Sequence, residues 1–479
     1  MPDHYPLMIP NAASSATTLE VTNPYDGNLI ATLDTADAEA AGLAMNTASA
    51  LYNDRNNWLP ITRRIEVLNK AAVLMDGRAE ELALLIACEG GKPLVDARIE
   101  VARAIDGIRL CIEAIRTQSG NMIPMDLNAA SAGRLAFTRH EPIGVVLAFS
   151  AFNHPLNLIV HQVGPAVAAG CPVIIKPAEA TPLSCIRFVQ ILREAGLPEA
   201  WCQVAIVNDL DVAGNMVANP EVGFFSFIGS AKVGWMLRSR LAPGARCALE
   251  HGGAAPVIVE TDADLGMTVP LLAKGGFYHA GQVCVSVQRI FAHASIARDL
   301  ADRLAVVANK MVVGDAANPK TGIGPLIRSS EVARVHDWVN DAVTDGAELV
   351  CGGKPISDSC FAATVLFDPP GHSLVSRREI FGPVVCVYPY DALDEAIDRA
   401  NVLEFAFQAA IFTRDLDAAL AACRQLDAAA VMVNDHTAFR VDWMPFAGLK
   451  QSGLGTGGIA WTMHDMQIEK LIVIRSDAL

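Results

Sequence analysis

The sequence contains 11 cysteines but no close pairs of the CxxC type. Zinc sites and the disulfide frameworks of secreted proteins use tighter, paired spacing, so neither is predicted and no metal is expected. Six cysteines lie in apolar runs and are predicted to be small buried side chains in a reducing compartment: Cys111, Cys171, Cys185, Cys202, Cys386 and Cys423. Cys284 differs, because it follows Gly281 and Gln282 at a predicted turn.

Positive charge is also scarce: 37 Lys and Arg stand against 52 Asp and Glu, giving a formal net charge of −15. Sequence-independent nucleic-acid binding requires cations that neutralise phosphates, so no nucleic-acid partner is expected. Long apolar runs are missing as well, since the most apolar stretch (156–175) is interrupted by two prolines and two polar residues. Residues 1–10 show no basic segment followed by an apolar one. We therefore predict a soluble, cytoplasmic protein with no membrane segment.

What the chain does contain is enough apolar residue, 52% of 479, to build two or three domains with large cores. Residues 37–116 have helical periodicity. Beyond them, short apolar strands alternate with helices: strands at 144–149, 173–175, 203–207 and 224–228, and helices at 157–169 and 184–195. Strands that alternate with helices predict an α/β fold with a parallel sheet and a nucleotide-type crevice at the strand ends.

Two stretches could carry covalent chemistry. Gly281-Gln282-Val283-Cys284 places a thiol in a predicted turn, where it is a candidate nucleophile. Upstream, Leu249-Glu250-His251-Gly252-Gly253 places a carboxylate beside paired glycines, which let backbone approach closely. A thiolate that attacks a carbonyl and a carboxylate that later activates water would form a working pair.

Three further stretches lie at the ends of predicted strands, and each has both a functional and a purely structural interpretation. Phe227-Ile228-Gly229-Ser230 lets backbone approach a pyrophosphate ahead of a helix, or is an ordinary βα turn. Lys176-Pro177-Ala178-Glu179 could hydrogen-bond ribose hydroxyls, or is a solvated loop. Phe152-Asn153-His154-Pro155 offers an amide to a developing oxyanion, or is an Asx turn before proline.

Taken together, these stretches closely resemble the aldehyde dehydrogenase superfamily from about Asn23 to the C-terminus. Seven motifs in the order and spacing of the family carry the resemblance: Phe152-Asn153-His154-Pro155-Leu156, Lys176-Pro177-Ala178-Glu179, Phe227-Ile228-Gly229-Ser230, Leu249-Glu250-His251-Gly252-Gly253, Gly281-Gln282-Val283-Cys284, Glu379-Ile380-Phe381-Gly382-Pro383 and Pro445-Phe446-Ala447-Gly448. Their common order is far more specific than any one motif.

The resemblance implies a role for each motif. Cys284 would be the nucleophile, Asn153 would hold the oxyanion together with the Cys284 backbone N–H, and Glu250 would activate the water that hydrolyses a thioester after hydride transfer to NAD. Cofactor contacts are implied for Ser150, Phe152, Lys176, Glu179, Gly229, Ser230, Val233, Gly234, Glu250, Gly252, Glu379 and Phe381. Glu179 would favour NAD over NADP, because its charge repels a 2′-phosphate.

The same resemblance implies three structural parts. These are a Rossmann-type NAD-binding domain (1–119 and 140–252), an α/β catalytic domain (253–462) and a small β bridging element for oligomerisation (120–139 and 463–479). The β-prone run 469–474 could complete a sheet in another subunit. Because such an element has unpaired edges unless a partner covers them, a homodimer or homotetramer is predicted.

Ionisable residues in the implied aldehyde tunnel suggest the substrate. His154, Arg103 and Arg440 would converge there and suit a small anionic tail on the aldehyde. This resembles the branch that oxidises lactaldehyde, phosphonoacetaldehyde and sulfolactaldehyde. Val283 stands where some phosphate-handling relatives have Arg, which argues against a full phosphate ester.

Alternatives remain for the arginines and for the activity. Arg440 could instead pair with Asp442, and Arg103 with Glu100 or Asp106, purely for structure. A CoA-acylating enzyme would need no water-activating base, so Glu250 argues against it. A catalytically silent binding protein on the same fold would not need Cys284, Glu250 and Asn153 together.

Overall fold

The helices form largely where helical periodicity predicts them. The computed structural model describes residues 3–479, so residues 1 and 2, with which the predicted NAD-binding domain begins, lie outside the described part. The helices are α1 Ala38–Asn53, α2 Ile61–Asp76, α3 Ala79–Gly90, α4 Leu94–Thr117, α5 Asn157–Ala169, α6 Leu183–Glu194, α7 Leu210–Val217, α8 Ala231–Arg238, α9 Leu265–Phe277, α10 Ala294–Ala308, α11 Ser329–Thr344, α12 Leu374–Arg377, α13 Leu393–Asn401, α14 Leu416–Gln425 and α15 Ile459–Asp465. Within residues 3–479, none of these helices combines the length and apolarity needed to cross a bilayer.

The strands are short, as expected for an α/β protein. They are β1 Asp3–Tyr5, β2 Thr18–Thr22, β3 Leu29–Asp34, β4 Met122–Ile123, β5 Arg134–Pro142, β6 Val145–Phe149, β7 Val173–Lys176, β8 Cys202–Val204, β9 Val222–Ile228, β10 Arg246–Glu250, β11 Ala255–Val259, β12 Val287–His293, β13 Glu348–Cys351, β14 Thr364–Phe367, β15 Val384–Tyr390, β16 Phe405–Ala406, β17 Gln408–Phe412, β18 Ala430–Val433, β19 Leu449–Lys450, β20 Gly453–Leu454 and β21 Gln467–Arg475. The strand expected at 203–207 is shorter, since β8 ends at Val204.

Two large sheets organise the chain and confirm the predicted α/β class. The first has six strands in the order β20-β10-β9-β6-β7-β8, parallel except for β20. The second has seven strands in the order β13-β14-β15-β12-β11-β17-β18, parallel except for β13. The connections from β6 run first to one side, through β7 and β8, and then to the other through β9. This reversal opens a crevice at the carboxyl ends of β6 and β9.

Both faces of the six-stranded sheet are buried, which explains why its strands are continuous apolar runs. Along β6, Val145, Leu147 and Phe149 face a core shared with α1 and α7, whereas Val146 and Ala148 face a core shared with α4, α5 and α6. The alternation of side chains along the strand therefore fixes its place between two helical layers. The seven-stranded sheet has a separate core with α9, α10 and α11.

The C-terminal strand pairs on one side within its own chain. β21 pairs antiparallel with β5 of the same chain over nine residues, from Gln467↔Pro142 to Arg475↔Arg134, in a three-stranded sheet with β4. The other edge of β21 has no strand beside it within residues 3–479, so the expectation that the run 469–474 completes a sheet in another subunit stays a prediction. The predicted domain boundaries themselves stay a prediction.

One cysteine also differs. Cys423 is exposed, whereas the other five that the apolar runs predicted to be buried are buried. It lies on α14, a surface helix whose inner face is formed by Ala419 and Ala422. An apolar run therefore did not distinguish the inner from the outer face of this helix.

Candidate active site

A single cavity of about 600 Å³ lies at the carboxyl ends of β6, β7, β9 and β10. It brings together nearly every residue that the sequence singled out: Arg103, Ser150, Phe152, Asn153, His154, Lys176, Glu179, Gly229, Ser230, Val233, Glu250, Gly252, Cys284, Glu379, Phe381 and Arg440. Gly234 is the exception. It does not line the cavity, and a Cβ there would clash with the His251 ring, so this glycine makes room for a neighbouring side chain.

The loop that carries Cys284 is held in an unusual conformation. His279, Ala280 and Gly281 precede it with positive φ angles of 47°, 55° and 71°. Gly281 is required by space as well, because a Cβ there would clash with the carbonyl oxygen of Gly382. Gln282 anchors the loop: its Oε1 accepts a hydrogen bond from the Ile327 backbone N–H at 3.0 Å. Such strain is found at sites that a surrounding structure holds in place.

Asn153 reaches this loop from the end of β6. Its side chain is buried, and Nδ2 donates a hydrogen bond to the Gln282 carbonyl oxygen at 2.9 Å. The amide therefore contacts the loop at the residue two positions before Cys284.

Glu250 lies at the carboxyl end of β10, between β9 and β20. A Cβ at Gly457 would clash with its carboxylate, so the missing side chain at that glycine makes room for it. Burial raises the pKa of Glu250 to about 7, and the nearby Arg440 guanidinium partly opposes that rise. A carboxylate with such a pKa is a competent general base near neutral pH.

The surroundings of the Cys284 thiol favour its protonated form. Burial, followed by the charges of Glu379 and Glu250, raises the pKa of Cys284 to about 12. Arg440 acts in the opposite direction. Attack on a carbonyl therefore requires that a base accept the thiol proton as the bond forms.

Glu379 closes the glycine-rich side of the site. Its Oε1 accepts a hydrogen bond from the Gly253 backbone N–H at 3.0 Å, and its carboxylate fills the space where a Cβ of Gly252 would be. Burial raises the pKa of Glu379 to about 8, and the Gly253 N–H opposes this rise. Phe381 packs edge-to-face on Phe152 with ring centroids 5.8 Å apart.

The opposite end of the cavity fits a pyrophosphate. Ser230 precedes α8 in an extended conformation and its side chain makes no capping hydrogen bond, which leaves the first N–H groups of the helix available. The buried hydroxyl of Ser150 has no hydrogen-bond partner among the described residues. A Cβ at Gly229 would lie 2.8 Å from the Phe227 ring, so glycine keeps this turn close to the cavity. An anion with several acceptor oxygens would satisfy these donors.

Lys176 and Glu179 form an ion pair at the end of β7. Glu179 remains partly exposed beside the cavity, and Lys176 lies over the Phe149 ring at 5.8 Å. Both groups thus lie at the carboxyl end of β7, where they could contact ribose hydroxyls.

The two arginines are in different environments. Arg103 makes two hydrogen bonds to the buried carboxylate of Asp442, at 2.9 and 2.8 Å. The sequence had suggested that Arg440 pairs with Asp442 and Arg103 with Glu100 or Asp106. In the structure Arg103 pairs with Asp442 instead, and Glu100 pairs with Lys92. The Arg440 guanidinium stacks 4.0 Å from the Phe446 ring centroid, and its buried Nη1 has no hydrogen-bond partner within residues 3–479.

His154 belongs to a buried group that the sequence did not reveal. Its Nδ1 lies 2.7 Å from Nζ of Lys92, which is completely buried and also paired with Glu100. Burial and Lys92 lower the pKa of His154 to about 4, so the imidazole is neutral near pH 7. The signal for Lys92 was a lysine in the turn Gly90-Gly91-Lys92-Pro93, between two apolar helices.

Comparisons with known proteins identify the family of this chain. The aldehyde dehydrogenase family model matches residues 11–472, so the chain belongs to the aldehyde dehydrogenase family. It is 38% identical to the 3-sulfolactaldehyde dehydrogenase of Priestia aryabhattai, over 96% of each chain. The structure of aldehyde dehydrogenase 21 from Physcomitrella patens in complex with the reaction product succinate superposes with a TM-score of 0.94 and 33% identity, over 99% of each chain. Glyceraldehyde-3-phosphate dehydrogenase from Methanocaldococcus jannaschii, complexed with NADP, gives a TM-score of 0.91 and 35% identity over 96% of this chain and 99% of that one.

The family resemblance and the α/β fold predicted from the sequence are thereby confirmed. The protein is an oxidoreductase that acts on aldehydes, and the family uses NAD or NADP as cofactor.

Proposed function

We propose that this enzyme oxidises a small, hydroxylated or singly anionic aldehyde to its carboxylic acid with NAD, through covalent intermediates on Cys284. The observation that carries the proposal is the meeting of Cys284, Asn153 and Glu250 in one cavity. Cys284 lies on a strained loop, Asn153 places a buried amide donor at that loop, and Glu250 is a carboxylate with a pKa of about 7.

In this mechanism the Cys284 thiol passes its proton to water and its sulfur attacks the aldehyde carbon, so that the anion of a thiohemiacetal forms. The Asn153 amide and the Cys284 backbone N–H stabilise the oxyanion. Glu379 and Phe381 would hold the nicotinamide, which would supply the hydride acceptor, and loss of the hydride would leave a thioester on Cys284. Glu250 then removes a proton from water, which attacks the thioester and releases the acid.

The donors at the N-terminus of α8, Ser150 and Ser230 would hold the pyrophosphate of the cofactor. Lys176 and Glu179 would contact the adenosine ribose, and Glu379 with Phe381 the nicotinamide ribose and ring. NAD is preferred over NADP in this proposal because Glu179 repels a 2′-phosphate. Its ion pair with Lys176 weakens that repulsion, so the preference is one of degree.

Charge in the tunnel supports a substrate with no more than one full negative charge. Arg103 is neutralised by Asp442 and His154 is uncharged near pH 7, which leaves Arg440 as the only unpaired cation among these three residues. One guanidinium suits one carboxylate or sulfonate group. Val283, in place of an arginine, lines the same cavity and adds no charge.

We also propose a homodimer or homotetramer. The nine-residue edge strand β21 exposes Leu471, Val473 and Ile474, and an edge of this length and apolarity is normally covered. The bridging element (120–139 and 463–479) would provide the contact between neighbouring subunits. All 11 cysteines are free, which fits a reducing cytoplasmic location.

The substrate class is tested by comparing Arg440→Met with the wild type on 3-sulfolactaldehyde, lactaldehyde and propanal. A charge-assisted hydrogen bond contributes about 1.5–3 kcal/mol, so kcat/KM for 3-sulfolactaldehyde should fall about 10- to 150-fold, mainly through KM. Propanal, which has no charged tail, should change far less, and Arg440→Lys should recover part of the loss. Equal losses on all three aldehydes would contradict the anionic pocket. NADH formation that requires CoA would favour an acylating enzyme instead.

A further inference from the structure

The buried group around Lys92 determines which nitrogen of His154 carries the proton. Lys92 is 0% exposed, and its Nζ contacts both the Glu100 carboxylate and Nδ1 of His154, the latter at 2.7 Å. An ammonium group has three donors and no acceptor. Glu100 Oε2 lies farther from Nδ1, at 3.5 Å, so with Lys92 protonated Nδ1 accepts from Nζ and the single proton of the neutral imidazole lies on Nε2.

Burial lowers the pKa of Lys92, and the adjacent Glu100 carboxylate opposes that change and favours the ammonium form. Its Oε1 accepts hydrogen bonds from the backbone N–H groups of Leu156 and Asn157, at 2.9 and 3.0 Å, at the start of α5. Although burial alone would raise it, Lys92 and His154 hold the pKa of Glu100 below its usual range. The carboxylate is thus anionic, and a buried anion retains its cationic partner.

The imidazole ring is held on its face as well as at Nδ1. Tyr278 stacks on it with ring centroids 6.0 Å apart, and the side chain of His154 is 11% exposed, toward the cavity. Nδ1 is occupied by Lys92, whereas Nε2 has no hydrogen-bond partner among residues 3–479 and is not sealed in the core. The ring therefore offers the tunnel one fixed donor.

We propose that Lys92, supported by Glu100, is a positioning residue that fixes His154 as the Nε2–H tautomer, a neutral donor to an oxygen on the substrate tail. The inference rests on the proposed function and adds a selectivity to it. A neutral donor recognises any acceptor oxygen near the aldehyde, such as a 2-hydroxyl, whereas Arg440 recognises charge. Aldehydes with a 2-hydroxyl group would then be preferred over equally long aldehydes without one.

The test compares lactaldehyde with propanal, which differ by the 2-hydroxyl group. In His154→Gln the amide nitrogen reaches the place of Nε2, whereas in His154→Asn it reaches only the place of Nδ1. We expect His154→Gln to keep the wild-type ratio of kcat/KM values, lactaldehyde over propanal, within about threefold. His154→Asn should lower the ratio about tenfold through KM, the size of one net hydrogen bond.

Lys92 is tested in the double variant Lys92→Met/Glu100→Gln, which leaves no unpaired buried charge. It should lower the same ratio about tenfold, and Lys70→Met, the same change at an exposed lysine, should leave it unaltered. Equal ratios for His154→Gln and His154→Asn would overturn the donor assignment. A double variant that fails to fold, or that slows both aldehydes equally, would assign Lys92 to stability alone.

The two proposals fail in different ways. If the wild type reduces NAD with none of these aldehydes, the proposed function itself is wrong. If the wild type oxidises lactaldehyde and propanal with equal kcat/KM, the function stands and the role of Lys92 and His154 is refuted.

Discussion

The elevated pKa of Glu250 leads to a pH dependence of deacylation that can be worked out in advance. Burial raises this pKa from 4.5 to about 7. With a pKa of 7, about 9% of the carboxyl is ionised at pH 6 and about 91% at pH 8, whereas an unperturbed carboxyl is almost fully ionised at both. Only the carboxylate accepts a proton from water, so the deacylation rate should rise about tenfold from pH 6 to pH 8.

Stopped-flow detection of NADH separates this step from the chemistry before it. The burst reports hydride transfer, and the steady state that follows reports thioester hydrolysis when deacylation is slow. A plot of the steady-state rate against pH should therefore have an ascending limb with its midpoint near pH 7. In Arg440→Met the limb should move to higher pH, because the Arg440 guanidinium lowers the pKa of Glu250 and its removal lets that pKa rise.

Two variants control this assignment. Glu250→Gln should keep the burst but lose the limb, since no group remains to titrate at that position. Glu379→Gln should keep the limb near pH 7, although Glu379 also has a raised pKa, of about 8. A steady-state rate that is flat from pH 6 to pH 8, or a limb that moves to lower pH in Arg440→Met, would refute the role given to Glu250.

Two further changes test the cofactor end and the base. Glu179→Gln should raise the ratio of kcat/KM for NADP to kcat/KM for NAD about tenfold. The carboxylate that repels a 2′-phosphate is lost, and Lys176 becomes free to bind that phosphate. An unchanged ratio would show that other residues discriminate between the two cofactors. Gly457→Ala should displace the Glu250 carboxylate and lower the steady-state rate at least tenfold, while the NADH burst persists. An equal decrease in the burst and in the steady-state rate would contradict this.

Local patterns were enough to predict most of the fold. Periods of apolar residues placed α5 and β6 almost to the residue, because both are buried on several sides and their sequences show it. The order of the motifs also predicted which side chains meet, since parallel strands bring their carboxyl ends to one edge. Cys423 was misplaced because an alanine-rich surface helix is apolar on its outer face too.

The electrostatics of the site could not be predicted in this way. Arg103 and Asp442 are 339 positions apart in sequence, and their pairing depends on how α4 meets the loop before Phe446. Lys92 and His154 are likewise brought together only by packing. Three nominal cations were predicted to converge, and folding leaves one of them unpaired and charged. Charge in a buried site depends on partners and burial, neither of which a local pattern contains.

The central claim is that Cys284 carries the acyl group and Glu250 releases it. It is tested most directly by mixing Glu250→Gln with NAD and lactaldehyde, quenching in acid and mapping the modified peptide by mass spectrometry. The account predicts a stoichiometric acyl adduct on Cys284, absent from Cys284→Ser and short-lived in the wild type. An adduct on another of the 11 cysteines, or NADH formation with no adduct on the chain, would contradict it.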